Sequence, residues 1–139
     1  MTTEGYLYDT CAFLYLAQDA KVSEGVLKVL SGFGARQGRM YVSAFTAWEI
    51  GMLNAKGRFN LVIPPLEWFA KTALRLRAEV LEATPSILVA ASFLPAPIHN
   101  DPADRILVAT AREHDLTIIT RDRAVLAYGA AGHVKVLAC

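Results

Sequence analysis

Two short runs of this chain are apolar at consecutive positions, and each is followed by an acid: Tyr6-Leu7-Tyr8-Asp9 near the start and Ile118-Ile119-Thr120-Arg121-Asp122 near the end. A strand that is apolar on both its faces is buried on both, as happens in parallel sheets covered by helices on either side. The rest of the pattern obeys the same constraint. Strand-type segments at residues 5–9, 40–43, 79–83, 116–120 and 134–137 are separated by helical segments. The helical segments cover residues 10–17, 22–37 (ended around Gly34 and Gly38), 44–56 (closed by Gly57), 64–77, 87–93 behind a Thr84-Pro85 cap, and 102–114 behind Asp101. A short turn at 123–127 follows Asp122. The expectation is one α/β domain over residues 1–139, a three-layer α/β/α sandwich with a mostly parallel central sheet. Ligands of such sheets sit at the carboxyl ends of the strands, which is where Asp9 and Asp122 fall.

Composition narrows the function. A chain of 139 residues that is 54% hydrophobic builds a packed core and is not disordered. Its apolar residues exceed what one small core needs, and Leu27, Leu30, Trp68 and Phe69 are the candidates for a surface shared with a partner. Charge or proline interrupts every apolar run before membrane-spanning length, and no basic stretch precedes the first one as in a signal peptide. No membrane association is expected. Two cysteines, Cys11 and Cys139, make no disulfide framework, so a reducing cytoplasm is the expected location and Cys11 reads as a small core filler. The net charge of +1 does not advertise a nucleic-acid binder, although acids gathered at one place would leave the remaining surface basic.

Taken singly, the acids have ordinary readings. Asp9 and Asp122 suit helix N-caps, and so does Asp101 ahead of Pro102, with Asp104 completing a capping-box-like pair. Glu49 is less easily explained, because its neighbours a turn away are Phe45, Thr46, Met52 and Leu53. A carboxylate on that stripe snorkels to solvent, pairs with an arginine, or binds a metal ion. Asp104, with Leu107 and Val108 one turn on, can point toward the sheet edge. Arg105 beside it is then available to a phosphate or to Asp101. His99 reads as a loop histidine, and the three histidines lack metal-ligand spacing. No P-loop, GxGxxG or GxSxG motif is present. An aspartyl phosphatase of the haloacid dehalogenase type needs a second Asp where Cys11 stands.

In order and context, Asp9, Glu49, Asp104 and Asp122 resemble the PIN-domain nucleases, VapC-type toxins in particular. The resemblance runs through LYDTCAFLYL, YVSAFTAWEIGML and HNDPADRILVATAREHDLTIITRDRAVLAYG, nearly the whole chain. It implies a parallel sheet flanked by helices and an acidic pocket in which those four acids hold Mg²⁺ or Mn²⁺. Thr10, Ser43 and Thr120 match hydroxyl positions that accompany the acids. Cys11 departs from the pattern, standing where Asn or His is common. The implied activity is endoribonucleolytic, with a VapB-like antitoxin as partner and a homodimer as the assembly. Hard divalent cations take oxygen ligands, and their chemistry on a phosphodiester needs no side-chain nucleophile. A non-catalytic module whose acidic pocket docks a basic segment is the alternative. Crowded carboxylates repel, so at least one is expected to titrate high without metal.

Overall fold

The computed structural model describes residues 4–18, 21–31, 38–98 and 100–139. The glycine-rich close of the second helix at Gly34, the nearby basic residue Arg36, and His99 lie outside the described residues. In chain order the elements are β1 (Glu4–Tyr8), α1 (Thr10–Ala17), α2 (Glu24–Ser31), β2 (Gly38–Ser43), α3 (Ala44–Ala55) and α4 (Pro65–Arg75). They continue with β3 (Ala78–Leu81), α5 (Pro85–Ser92), α6 (Pro102–His114), β4 (Thr117–Thr120), α7 (Arg123–Ala130) and β5 (Lys135–Ala138). The five strands form one sheet in the order β3-β2-β1-β4-β5, and every pairing is parallel. The expected α/β/α sandwich is therefore what the chain adopts.

Alternation along the strands divides the core into two halves. Tyr8, Met40, Val42 and Ile119 point to the side where Ala12, Phe13, Leu16, Val26, Ile50, Phe69 and Ala73 of α1 to α4 pack. Leu7 and Ile118 point to the other side, against Leu107, Val108 and Ala111 of α6 and Val125 and Tyr128 of α7. Because both faces are covered at the centre of the sheet, β1 and β4 read as apolar runs at residues 6–8 and 118–119. Helix α5 packs on α6 through Ile87, Ala91 and Ala109. No helix among the described residues is long and apolar enough to cross a membrane.

Two of the sequence expectations are corrected here. Phe69 is only 6% exposed and packs against Phe13, while Trp68 and Leu30 are half-buried against the same cluster, so these three belong to the core. Of the four partner-surface candidates only Leu27 is largely exposed; the other exposed apolar side chains include Trp48, Val62, Leu66, Leu74, Val89 and Phe93. Helix α7 also runs to Ala130, three residues beyond the expected turn. A Cβ on Gly129 would strike both methyl groups and the Cβ of Val136 in β5, which a branched side chain cannot easily yield. Gly129→Ala is expected to destabilise the fold by about 1–3 kcal/mol, read as a lowered denaturant midpoint.

Tyr8 is fully buried, and its hydroxyl has no hydrogen-bond partner among the described residues. Desolvation pushes its phenol well above the usual range. Tyr8→Phe removes that cost and keeps the ring, which packs on Phe13 with centroids 6.1 Å apart. Thermal unfolding should show the variant as stable as the parent or more so, by up to about 1 kcal/mol.

Candidate metal centre at the switch of strand order

Strand β1 lies between β2 and β4, so the chain progresses outward in one direction from β1 through β2 to β3, then returns to β1's other side as β4. That reversal opens a crevice at the carboxyl ends of β1 and β4, the place where open α/β sheets bind ligands. Asp9 follows β1 there, and its amide donates to the Ile119 carbonyl at 3.1 Å. Asp122 follows β4. A cavity of about 70 Å³ at this point is lined by Asp9, Glu49, Asp104 and Asp122, together with Thr10, Cys11, Ser43 and Thr46. A larger groove of about 750 Å³, with Arg112, His133 and Lys135 on its walls, lies at the amino ends of β4 and β5 and contains none of the four.

The capping and clustering readings of the acids turn out to be compatible. Asp9 caps α1, its Oδ1 accepting from the Ala12 amide at 2.6 Å, and Oδ2 accepts from the Thr120 hydroxyl. That hydroxyl in turn accepts from the Asp122 amide at 2.9 Å. Asp122 caps α7 through Val125 N at 2.9 Å, Asp101 caps α6 through Asp104 N at 3.1 Å, and Ser43 caps α3 through Phe45 N at 3.0 Å. The amino ends of α1, α3, α6 and α7 therefore meet at the cavity. Their dipoles favour negative charge there and offset part of the repulsion among the acids.

Glu49 reaches the cavity from the second turn of α3 and is held by Thr10, whose hydroxyl donates to Oε1 at 2.5 Å. Thr46, which sequence reasoning passed over, lies 3.1 Å from the Thr10 hydroxyl and is only 2% exposed. Its single signal was its position one turn before Glu49 on the same helix. Arg105 also ties α6 to α5: its Nε donates to the Ala91 carbonyl at 2.9 Å, holding the end of α5. Cys11 corrects an expectation, since it is exposed on the cavity wall and not in the core.

Electrostatics record the crowding. Burial pushes Asp9 up, against the hydrogen bonds from Thr120 and Ala12, and the Asp122 charge adds to the rise. Glu49 is raised by burial, opposed by Thr10, then raised further by Asp101 and Asp9. Asp104 is raised to about 7, by burial first and then by Asp101, Asp122, Asp9 and Glu49. Asp101 is thus a fifth charge in the cluster, a part the sequence had given only as a cap. Partial burial and the same carboxylates keep the Cys11 thiol protonated.

The donor set consists of hard oxygens, which suits Mg²⁺ or Mn²⁺ and not a soft metal. Among the described residues no three His, Cys, Asp or Glu side chains are arranged as a ready ligand set for one ion. The cavity has the volume of about two waters, at roughly 30 Å³ each. A small hydrated cation held by one or two direct carboxylates and by waters to the others fits both facts. Thr120→Val removes the donor that fixes Asp9 while keeping the side chain's shape. It should weaken Mn²⁺ binding by about 10–100-fold in a titration, with little change in fold by circular dichroism.

A family profile described as PIN domain matches residues 6–130. The chain is 38% identical over 82 residues to Ribonuclease VapC22 of Mycobacterium tuberculosis, strain ATCC 25618 / H37Rv; the match takes in 59% of this chain and 62% of that protein, about three fifths of its length. Among solved structures, DNA-bound VapBC from Salmonella typhimurium superposes with a TM-score of 0.67 at 15% identity, over 99% of this chain and 98% of that one. VapBC2 from Rickettsia felis, bound to a DNA fragment from its promoter, gives 0.66 at 13% identity, over 96% and 98%. At these identities the structures bear on the fold alone.

Proposed function

The chain belongs to the PIN domain family, and from that premise we propose that it is a metal-dependent endoribonuclease, the toxin of a toxin–antitoxin pair, working in the cytoplasm. The observation that carries this reading is the convergence of Asp9, Glu49, Asp104 and Asp122 on one cavity at the switch of strand order. The 38% identity to a protein named as a ribonuclease supports RNA as the substrate, and the VapBC likenesses support an antitoxin partner. Exposed Leu66 and Leu74 on α4, Leu88 and Val89 on α5 and Phe93 just after it offer apolar area for that partner and for a second copy of the chain.

In this reading Asp9, Glu49, Asp104 and Asp122 hold Mg²⁺ or Mn²⁺, in part through water. A divalent ion supplies Lewis-acid stabilisation of the phosphate charge and lowers the pKa of a water for attack. The chain's own residues do the rest. Thr120 and the Ala12 amide fix both oxygens of Asp9, and Thr10 fixes Glu49, so the acids keep their orientation as charge arrives. The capped ends of α6 and α7 hold Asp104 and Asp122 against the same cavity. A raised Asp104 is able to carry a proton near neutral pH until a cation displaces it.

The test is incubation of the purified protein with matched single-stranded RNA and DNA, with Mg²⁺, Mn²⁺ or EDTA. Cleavage of the RNA, dependent on added ion and abolished by EDTA, is the expected result. Cleavage of DNA in preference to RNA would overturn the substrate assignment, and no cleavage of either would overturn the enzyme.

A further inference from the structure

Along α3, steps of about 100° per residue place Phe45, Trp48, Glu49 and Met52 on one stripe and turn Thr46 and Ile50 to the core. Phe45 lines the cavity beside the acids. Its ring lies against that of Trp48 in a tilted contact, centroids 5.2 Å apart and planes 31° from parallel. Trp48 is 58% exposed, whereas the chain's other indole, Trp68, is packed edge-on against Phe13 and Phe59. An exposed aromatic pair thus continues directly from the wall of the acidic cavity. Phe45 and Glu49 are four residues apart on α3, about 6 Å along its axis.

We propose that Phe45 and Trp48 form a stacking platform for an unpaired nucleobase next to the scissile phosphate, and so direct the nuclease to single-stranded RNA. The proposal rests on the nuclease reading above. Bases in single strands are free to stack on aromatic side chains, while those in a duplex are occupied by their neighbours. The occupant is a base and not a protein side chain because the platform is continuous with the wall of the phosphate cavity. Stacking accepts any base, so the preference it creates is for lack of pairing and not for sequence. Trp48 is in this account a positioning residue, since it touches substrate away from the reacting atoms.

Two measurements on the full-length protein test it. In EDTA, oligoadenylate should quench the Trp48 emission, taken as the difference between wild type and Trp48→Leu, with saturation. An abasic ribose-phosphate oligomer of equal length should not. In cleavage assays with metal, Trp48→Leu should raise KM on single-stranded RNA about tenfold with kcat within about twofold, and Trp48→Phe should restore KM. An abasic site beside the cleavage position should cost wild type about tenfold and Trp48→Leu little. Equal abasic costs in the two proteins, or equal quenching by both oligomers, would overturn the platform while leaving the nuclease intact. Loss of a dimer in Trp48→Leu with unchanged abasic sensitivity would overturn it also, assigning the surface to protein contact. If wild type cleaves no RNA the nuclease reading fails, and quenching alone then decides whether a base is bound.

Discussion

Replacing Asp104 by Asn, Asp9 by Asn or Glu49 by Gln is expected to lower metal-dependent RNA cleavage by at least about 100-fold, with the fold intact. Each change keeps the oxygen and its shape and removes a charge that the cation needs. Stability should move the other way. The carboxyl of Asp104 is held up at about 7, above its ordinary range near 4, because burial and four neighbouring acids disfavour its charged form. The folded state therefore binds this proton more tightly than the unfolded chain does. The stability that the proton confers is complete below the unfolded pKa and is lost as pH rises through about 7. Thermal unfolding in EDTA should show the midpoint falling between about pH 5 and about pH 8, and Asp104→Asn should flatten that slope. Added Mn²⁺ should restore the wild-type midpoint at the upper end by binding the folded state alone. Asp101→Asn should behave differently from the other three, because Asn caps α6 as Asp does and only a rim charge is lost. A midpoint that rises across this pH range in EDTA would show that the acids are not crowded.

Phe13→Ala is expected to cost about 3–5 kcal/mol, a large share of the roughly 5–15 kcal/mol that holds a domain together. Phe13 is fully buried and meets three other rings: Tyr8 at 6.1 Å, Trp68 at 6.2 Å and Phe69 at 5.6 Å between centroids. It fastens α1, whose first turn Asp9 caps, to both the sheet and α4. Losing it should shift the urea midpoint sharply, and activity should decline with the folded fraction rather than ahead of it. Phe13→Leu fills most of the volume and should recover most of the stability, which separates a packing role from a role in the site.

The strands and most helix starts were legible because their signals are local. Pro65, Pro85 and Pro102 each open a helix where sequence placed one, and Gly57, at φ 71°, ends α3 in the left-handed conformation that glycine permits. Helix α6 ends on Asp115, a non-glycine residue at φ 55°, yet its length was still read from the apolar stripe. The misses share a cause: periodicity gives the face of a helix but not what lies opposite. Phe69 looked surplus until Phe13 was seen across from it. Cys11 looked like filler until α1 turned it to the cavity wall. Gly129 interrupts the pattern of α7 in sequence, whereas in space it lets the helix lie on Val136. The four acids were singled out in sequence, the three aspartates with capping as the competing role and Glu49 with snorkelling or an arginine partner, and Asp9 and Asp122 do cap helices while lining the cavity. The contribution of Asp101 to the field could not be read from spacing, because it acts on Glu49 across a tertiary gap.

The measurement that bears most directly on the central claim is a Mn²⁺ titration of wild type and Asp104→Asn, paired with cleavage of one single-stranded RNA by the same preparations. Saturable binding by wild type, weakened binding by the variant, and cleavage that falls in step and vanishes in EDTA are the expected results. Cleavage that survives EDTA, or that is equal in the two proteins, would contradict a metal centre built from these acids.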